Sequence, residues 1–351
     1  MNKYQFKPLT QTGALSEDDS KKYFSTVGLA VFAFLFVGFV SSYAAAILLT
    51  KFAPAWLENT AITNSLSLIT QYGLGLPAAL YFLRKLPRDT SPSESLGAKN
   101  FLGLLCVSIT FLTVGSSMSS ILTDGLSLLF GRNLTNPLEE SATSDSVLVN
   151  LIFMAILAPI IEELVFRKIL CDRLLPLGEG YAVFLSAAIF GLVHGNFFQF
   201  FYAFLIGIVF SYIYVKTGRV RYTIAIHMII NLFGGVFMSW IIDTLSPVLT
   251  EELYVRLTEV VNSGDMAAME ALAEELSPYM LPIFLWSGYE LLLTVLSMAG
   301  VFIFFRHLKN VKFRAGLLPP EKKHRIANIF CNGGVALAIT AFAVIFVVSL
   351  L

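Results

Sequence analysis

Charge is what this chain has least of. Only 14% of its 351 residues are Asp, Glu, Lys or Arg, against 56% hydrophobic, and the mean hydropathy is +0.74. A soluble protein of this length carries about a quarter charged residues, so composition excludes one and leaves an integral membrane protein. Cysteine is nearly absent as well. Of the three, Cys106 and Cys331 lie in or beside apolar runs and Cys171 beside basic residues. No CxxC or other ligand-like spacing occurs, which excludes a disulfide framework and a cysteine-metal site. The formal net charge is zero, so no basic surface calls for a nucleic-acid partner. Residues 1–22 lack the apolar core and cleavage site of a signal peptide and are expected to remain as a cytoplasmic tail. No internal repeat is visible.

What is abundant is apolar runs long enough to cross about 30 Å of hydrocarbon as helix. Nine segments qualify: 23–50, 60–83, 100–123, 146–166, 181–195, 197–215, 222–242, 279–305 and 327–350. When they alternate across a bilayer from a cytoplasmic amino terminus, 21 of the 24 Lys and Arg residues fall on the cytoplasmic side, and only Lys51, Arg132 and Arg256 on the other. The expectation is an all-α polytopic bundle of about nine spans with its carboxyl terminus outside, forming one membrane-embedded domain over 23–351. Two local features depart from plain spans. Residues 181–215 carry no charge, and their only turn signal is His194-Gly195-Asn196, which predicts a short hairpin ending near mid-membrane. Residues 247–277 are acidic, with two stretches of helical composition separated by Asn262-Ser263-Gly264-Asp265, and are expected as an extracytoplasmic helical loop capping the bundle.

Inside the spans a few polar groups stand out. Leu157 to Leu170 reads LAPIIEELVFRKIL, which places Glu162, Glu163 and Arg167 where lipid would be expected. Of four histidines, His307 and His324 belong to a basic loop, while His194 and His227 are intramembrane. Residues four apart share a helix face. That spacing pairs Glu163 with Arg167, lets Phe190 pack on His194, and points His227 and Asn231 to one place. Glu162 lies about 100° around the helix from Glu163, without that intrahelical partner. Counted in from their helix ends, Glu162, His227 and Asn231 sit roughly 8 to 15 Å deep, with His194 slightly deeper. One buried His or Asn alone is ordinarily a packing residue. Several ionisable groups gathered at one depth mark a site.

Glu162-Glu163-Leu-Val-Phe-Arg167, Phe190-Gly-Leu-Val-His194 and His227-Met-Ile-Ile-Asn231 read as EExxxR, FxxxH and HxxxN, in order on successive spans. In these residues the chain resembles the CAAX-protease-and-bacteriocin-processing (CPBP, or Abi) intramembrane proteases, of the type II CAAX prenyl endopeptidase kind. The resemblance covers about 146–235, the expected catalytic core. Lys168 departs from it, because the family commonly has glycine after the arginine. The resemblance implies a hydrolase cutting a peptide bond of a membrane-associated protein or peptide. Carried over, Glu162 with His194 would position and deprotonate the attacking water, and His227 with Asn231 would donate to the oxyanion. Glu163, Arg167 and Phe190 would support the site.

Two alternatives stay open. Glu162, His194 and His227 could hold zinc with one position left for water. The chain lacks HExxH and Asn231 is not a usual zinc ligand, so a cofactor-free glutamate mechanism is the expectation. From another class, a transporter or an immunity scaffold could use buried carboxylates as an ion relay or as structure. Glu290, in the middle of the eighth segment, keeps the relay in play. No broken-helix repeat pair of the transporter kind is visible.

Overall fold

The computed structural model describes residues 14–91, 93–136, 146–248, 250–320 and 325–350. Most of the amino-terminal tail and His324 therefore lie outside the described residues. Every regular element among those described is helical, and strand-like pairing is limited to two isolated bridges, Leu15 with Pro320 and Gly178 with Ala315.

All nine apolar segments are helices: α1 Glu17–Phe52, α2 Thr60–Leu83, α3 Ala98–Phe130, α4 Val147–Leu177, α5 Glu179–Leu192, α6 Phe197–Thr217, α7 Val220–Leu245, a single helix Met280–Leu308 for the eighth, and a last helix Gly333–Val348. Seven are long and apolar enough to cross a membrane, and Glu179–Leu192 and Gly333–Val348 are shorter. The hairpin expected from the uncharged stretch is present. Helix α5 stops at Leu192, Gly195 takes the left-handed φ of +70° that a side chain would resist, and Asn196 caps α6 by accepting from the Gln199 backbone N–H.

Helix α1 starts at Glu17, inside the expected tail, because Ser16 accepts from the Asp19 N–H and acids fill the first turn. The acidic segment forms α8 Glu251–Ser263 and α9 Met266–Leu276, broken at Gly264 in the left-handed region. A short 3-10 turn joins α9 to α10 Met280–Leu308. The segment read as 327–350 is two pieces, α11 Arg325–Phe330 and α12 Gly333–Val348, with Asn332 capping the second.

Glu290 is exposed on α10, not buried. Gly300 marks the face of α10 packed on α3 at Cys106 and Thr110. Ten residues away, Glu290 is about 80° around the helix from that face. A relay through the protein interior loses its intermediate carboxylate.

The core sits where α6 packs between α3 and α5, with α4 and α7 against them. Close approach of α3 and α6 depends on Gly115, where a Cβ would fall 2.3 Å from the Tyr202 Cα. Four π-helical segments interrupt the helices: Ile69–Gly75, Leu151–Leu157, Leu164–Cys171 and Leu232–Phe237. Two of them bracket Ala158–Glu163, and another begins just after Asn231. Such bulges tend to occur at functional sites, because they re-aim side chains and free backbone groups.

Candidate active site

Glu162 and Glu163 are adjacent in the chain and different in surroundings. Glu163 and Arg167 are both fully buried, with Arg167 Nε donating to Glu163 Oε2 at 3.0 Å and Nη2 to Oε1 at 3.4 Å. Sequence spacing suggested this pair at a lipid boundary, whereas the structure sinks it into protein. Arg167 Nη1 donates to the Ser186 hydroxyl at 3.0 Å, and Ser186 in turn donates to the Phe166 carbonyl at 2.9 Å. The guanidinium also faces the rings of Phe190 at 4.7 Å and Phe210 at 5.8 Å. A buried charge needs such complete pairing, since an isolated one would be strongly disfavoured.

Glu163 Oε1 also reaches α7. His227 Nδ1 donates to Glu163 Oε1 at 3.2 Å, which turns its other nitrogen toward Glu162, with Nε2 to Oε2 at 3.8 Å. That distance is too long for a direct hydrogen bond. The Glu162 side chain keeps 18% exposure, against none for Glu163. The imidazole of His227 is packed edge-on to Phe190 and tilted against Phe210.

His194 is positioned by the end of its own helix. Its backbone N–H bonds to Gly191 rather than to Phe190, leaving the Phe190 carbonyl to the His194 ring at 2.8 Å from Nδ1. A carbonyl can only accept, so Nδ1 carries the proton and a neutral His194 presents Nε2 as an acceptor. The ring stands T-shaped on Phe190 at 5.1 Å, as the four-residue spacing predicts, and lies within electrostatic reach of Glu162 and His227.

Asn231 has a partner that the sequence did not announce. Its Nδ2 donates to the Met154 carbonyl at 2.9 Å. In the π-turn before Pro159, Ala158 N–H bonds back five residues to Phe153, so the next carbonyl, Met154, would need the N–H that proline lacks. Asn231 fills that vacancy, locking α7 to the bend that carries Glu162, and retains a second amide hydrogen. The signal was present in the sequence as Pro159 inside an apolar span.

Toward the basic end of the bundle, Lys168 is engaged by the buried Asp172 at 3.0 Å and by the Tyr214 hydroxyl at 3.1 Å, and Arg88 also pairs with Asp172. The departure at Lys168 thus belongs to a closed network. Among the described residues, no three His, Cys, Asp or Glu side chains gather as a metal site.

Sequence comparison finds similar proteins. Residues 144–233 match the family described as type II CAAX prenyl endopeptidase Rce1-like. The chain is 26% identical over 192 residues to the putative membrane peptidase YdiL of Bacillus subtilis, an alignment spanning 50% of this chain and 72% of that protein. It is 31% identical over 121 residues to the membrane-embedded CAAX protease MroQ of Staphylococcus aureus, spanning 32% of this chain and about half, 49%, of that protein. No solved structure matches. Over residues 144–233 this multi-pass membrane protein is similar to the Rce1-like type II CAAX prenyl endopeptidases.

Proposed function

We propose that the chain is an intramembrane endopeptidase acting on a membrane-associated protein or peptide, in which Glu162 and His194 activate water and His227 with Asn231 holds the oxyanion. One observation carries this reading: Glu163 is buried and spent on Arg167 and His227, while Glu162 beside it is partly exposed and faces the free nitrogen of His227. Of the two carboxylates, Glu162 is the one a water can reach.

Water bonded to Glu162 and to the unprotonated Nε2 of His194 attacks the carbonyl carbon of the scissile bond. Glu162 takes the proton and returns it to the departing amide nitrogen, so the products are one carboxyl and one amine terminus. Negative charge gathers on the carbonyl oxygen meanwhile. With both ring nitrogens of His227 protonated, Nδ1–H held by Glu163, its Nε2–H and the second amide hydrogen of Asn231 are the donors that would meet it. Glu163 and Arg167 position His227 and touch no reacting atom. We read the reaction as metal-independent, because the chain lacks HExxH and Asn231, not a usual zinc ligand, fits the oxyanion role.

The test compares new peptide termini in membranes and medium of cells making the wild-type protein or Glu162→Gln. Termini present only with the wild type identify the substrate. Identical sets of termini at equal protein levels would contradict the proposal.

A further inference from the structure

A cavity of about 490 Å³ opens in the half of the bundle away from the basic loops, between α3, the start of α6 and residues 134–136. None of its lining residues belongs to the three motifs. Ser116, Ser119, Ser120 and Thr123 line it from α3, followed by Asp124, with Tyr202 of α6 in the wall. Four consecutive polar contributors on one face are unexpected for a helix that lipid and protein alone would surround.

Ser119 points to a ligand. It is 3% exposed, and its Oγ has no hydrogen-bond partner among the described residues. Buried hydroxyls are almost always satisfied, and this one borders the cavity. Tyr202 supplies the connection to the chemistry. It borders the cavity and lies within electrostatic reach of Glu162, held at the tight crossing of α3 and α6 at Gly115.

We propose that this cavity is a substrate subsite for a polar, extended stretch of peptide flanking the scissile bond, with Asp124 pairing a lysine or arginine of that stretch. The proposal rests on the endopeptidase reading of Glu162. An extended strand exposes an N–H and a C=O at every residue, which lipid cannot satisfy. Serine and threonine hydroxyls both donate and accept, so a wall of them suits an unwound backbone. An apolar helix satisfies its own backbone and would gain nothing from them. The volume falls within the range of about 300 to 1,000 Å³ usual for ligand sites. Among the described residues Asp124 is the one charged residue in the lining, which selects for a cation.

Labelling reads the cavity without any turnover. In purified protein carrying Ser119→Cys, rates of modification by trimethylammonioethyl and sulfonatoethyl methanethiosulfonate are measured at that position by mass spectrometry. Adding Asp124→Asn should lower the ratio of cationic to anionic rate about tenfold. No modification at Ser119→Cys, or an unchanged ratio, overturns the site. Cleavage then reads the substrate. A mixed-sequence peptide library cut by wild-type protein should show Lys or Arg enriched on one side of the cut, and Asp124→Asn should lower kcat/KM for those peptides about tenfold relative to neutral ones. The expected drop in labelling ratio with no basic enrichment overturns the substrate assignment alone. A library left uncut by wild-type protein overturns the endopeptidase reading and this subsite with it, whatever the labelling shows.

Discussion

Glu163→Gln removes one negative charge from the most buried ionic cluster of the bundle while keeping the side chain's size. Arg167 would then sit with no counter-ion, its side chain fully enclosed between Phe190 and Phe210. Breaking one partner of a buried pair costs about 3 to 5 kcal/mol, whereas an exposed pair contributes about 0 to 1. The remaining Ser186 acceptor and a glutamine oxygen offset part of this, so a loss near 3 kcal/mol is expected, roughly a hundredfold in the folding equilibrium. Arg167→Gln alone should cost a similar amount, because it strands Glu163. The double variant should lose less than the sum, with a coupling of about 1 to 3 kcal/mol. The assay is thermal and denaturant unfolding of all four proteins in one detergent. Unchanged stability in Glu163→Gln, or strictly additive losses, would refute the claim that the pair is a buried structural unit.

Other outcomes follow from the same geometry. Asn231→Ala should lower stability by about 1 to 3 kcal/mol by orphaning the Met154 carbonyl, and should lower turnover as well, read by unfolding and by peptide cleavage. Loss of turnover with full stability would mean the Met154 contact is incidental. Hydrolysis should survive exhaustive chelation, and purified protein should hold well under one metal per chain. Activity that is lost with zinc and restored by it would reverse the metal-independent reading. Ser263→Cys, at the break between α8 and α9, should label from outside intact cells, and labelling only after lysis would invert the proposed topology.

Much of this was legible in the sequence, for reasons that also mark where legibility stops. The Glu163–Arg167 pair and the Phe190–His194 packing follow from four-residue spacing on one helix, which is local. The Ser186 and Phe210 partners of Arg167 lie on other helices, and no local pattern reports which helix will close over a charge. Apolar runs located a helix in each of the nine segments, yet the π-turns around Glu162 leave no mark in composition. Caps were readable and passed over: Ser16 before an acidic turn starts α1 early, and Asn332 splits the last segment. Burial of Glu290 was inferred from its position in an apolar run, but a run longer than the bilayer needs is apolar on its lipid face too. Pro159 advertised an orphan carbonyl, while the residue answering it, Asn231, lies 77 positions away.

The division of labour between the two glutamates is the centre of this account, and single-turnover cleavage by purified Glu162→Gln measures it most directly, using a peptide identified from cells. Gln keeps the shape and hydrogen bonding of the side chain but cannot accept the proton of water. The variant should unfold at the wild-type temperature and cleave about 100 to 10,000 times more slowly, with His194→Ala adding less than its own separate effect. Wild-type cleavage by Glu162→Gln, together with a folded and inactive Glu163→Gln, would contradict the account and make Glu163 the base.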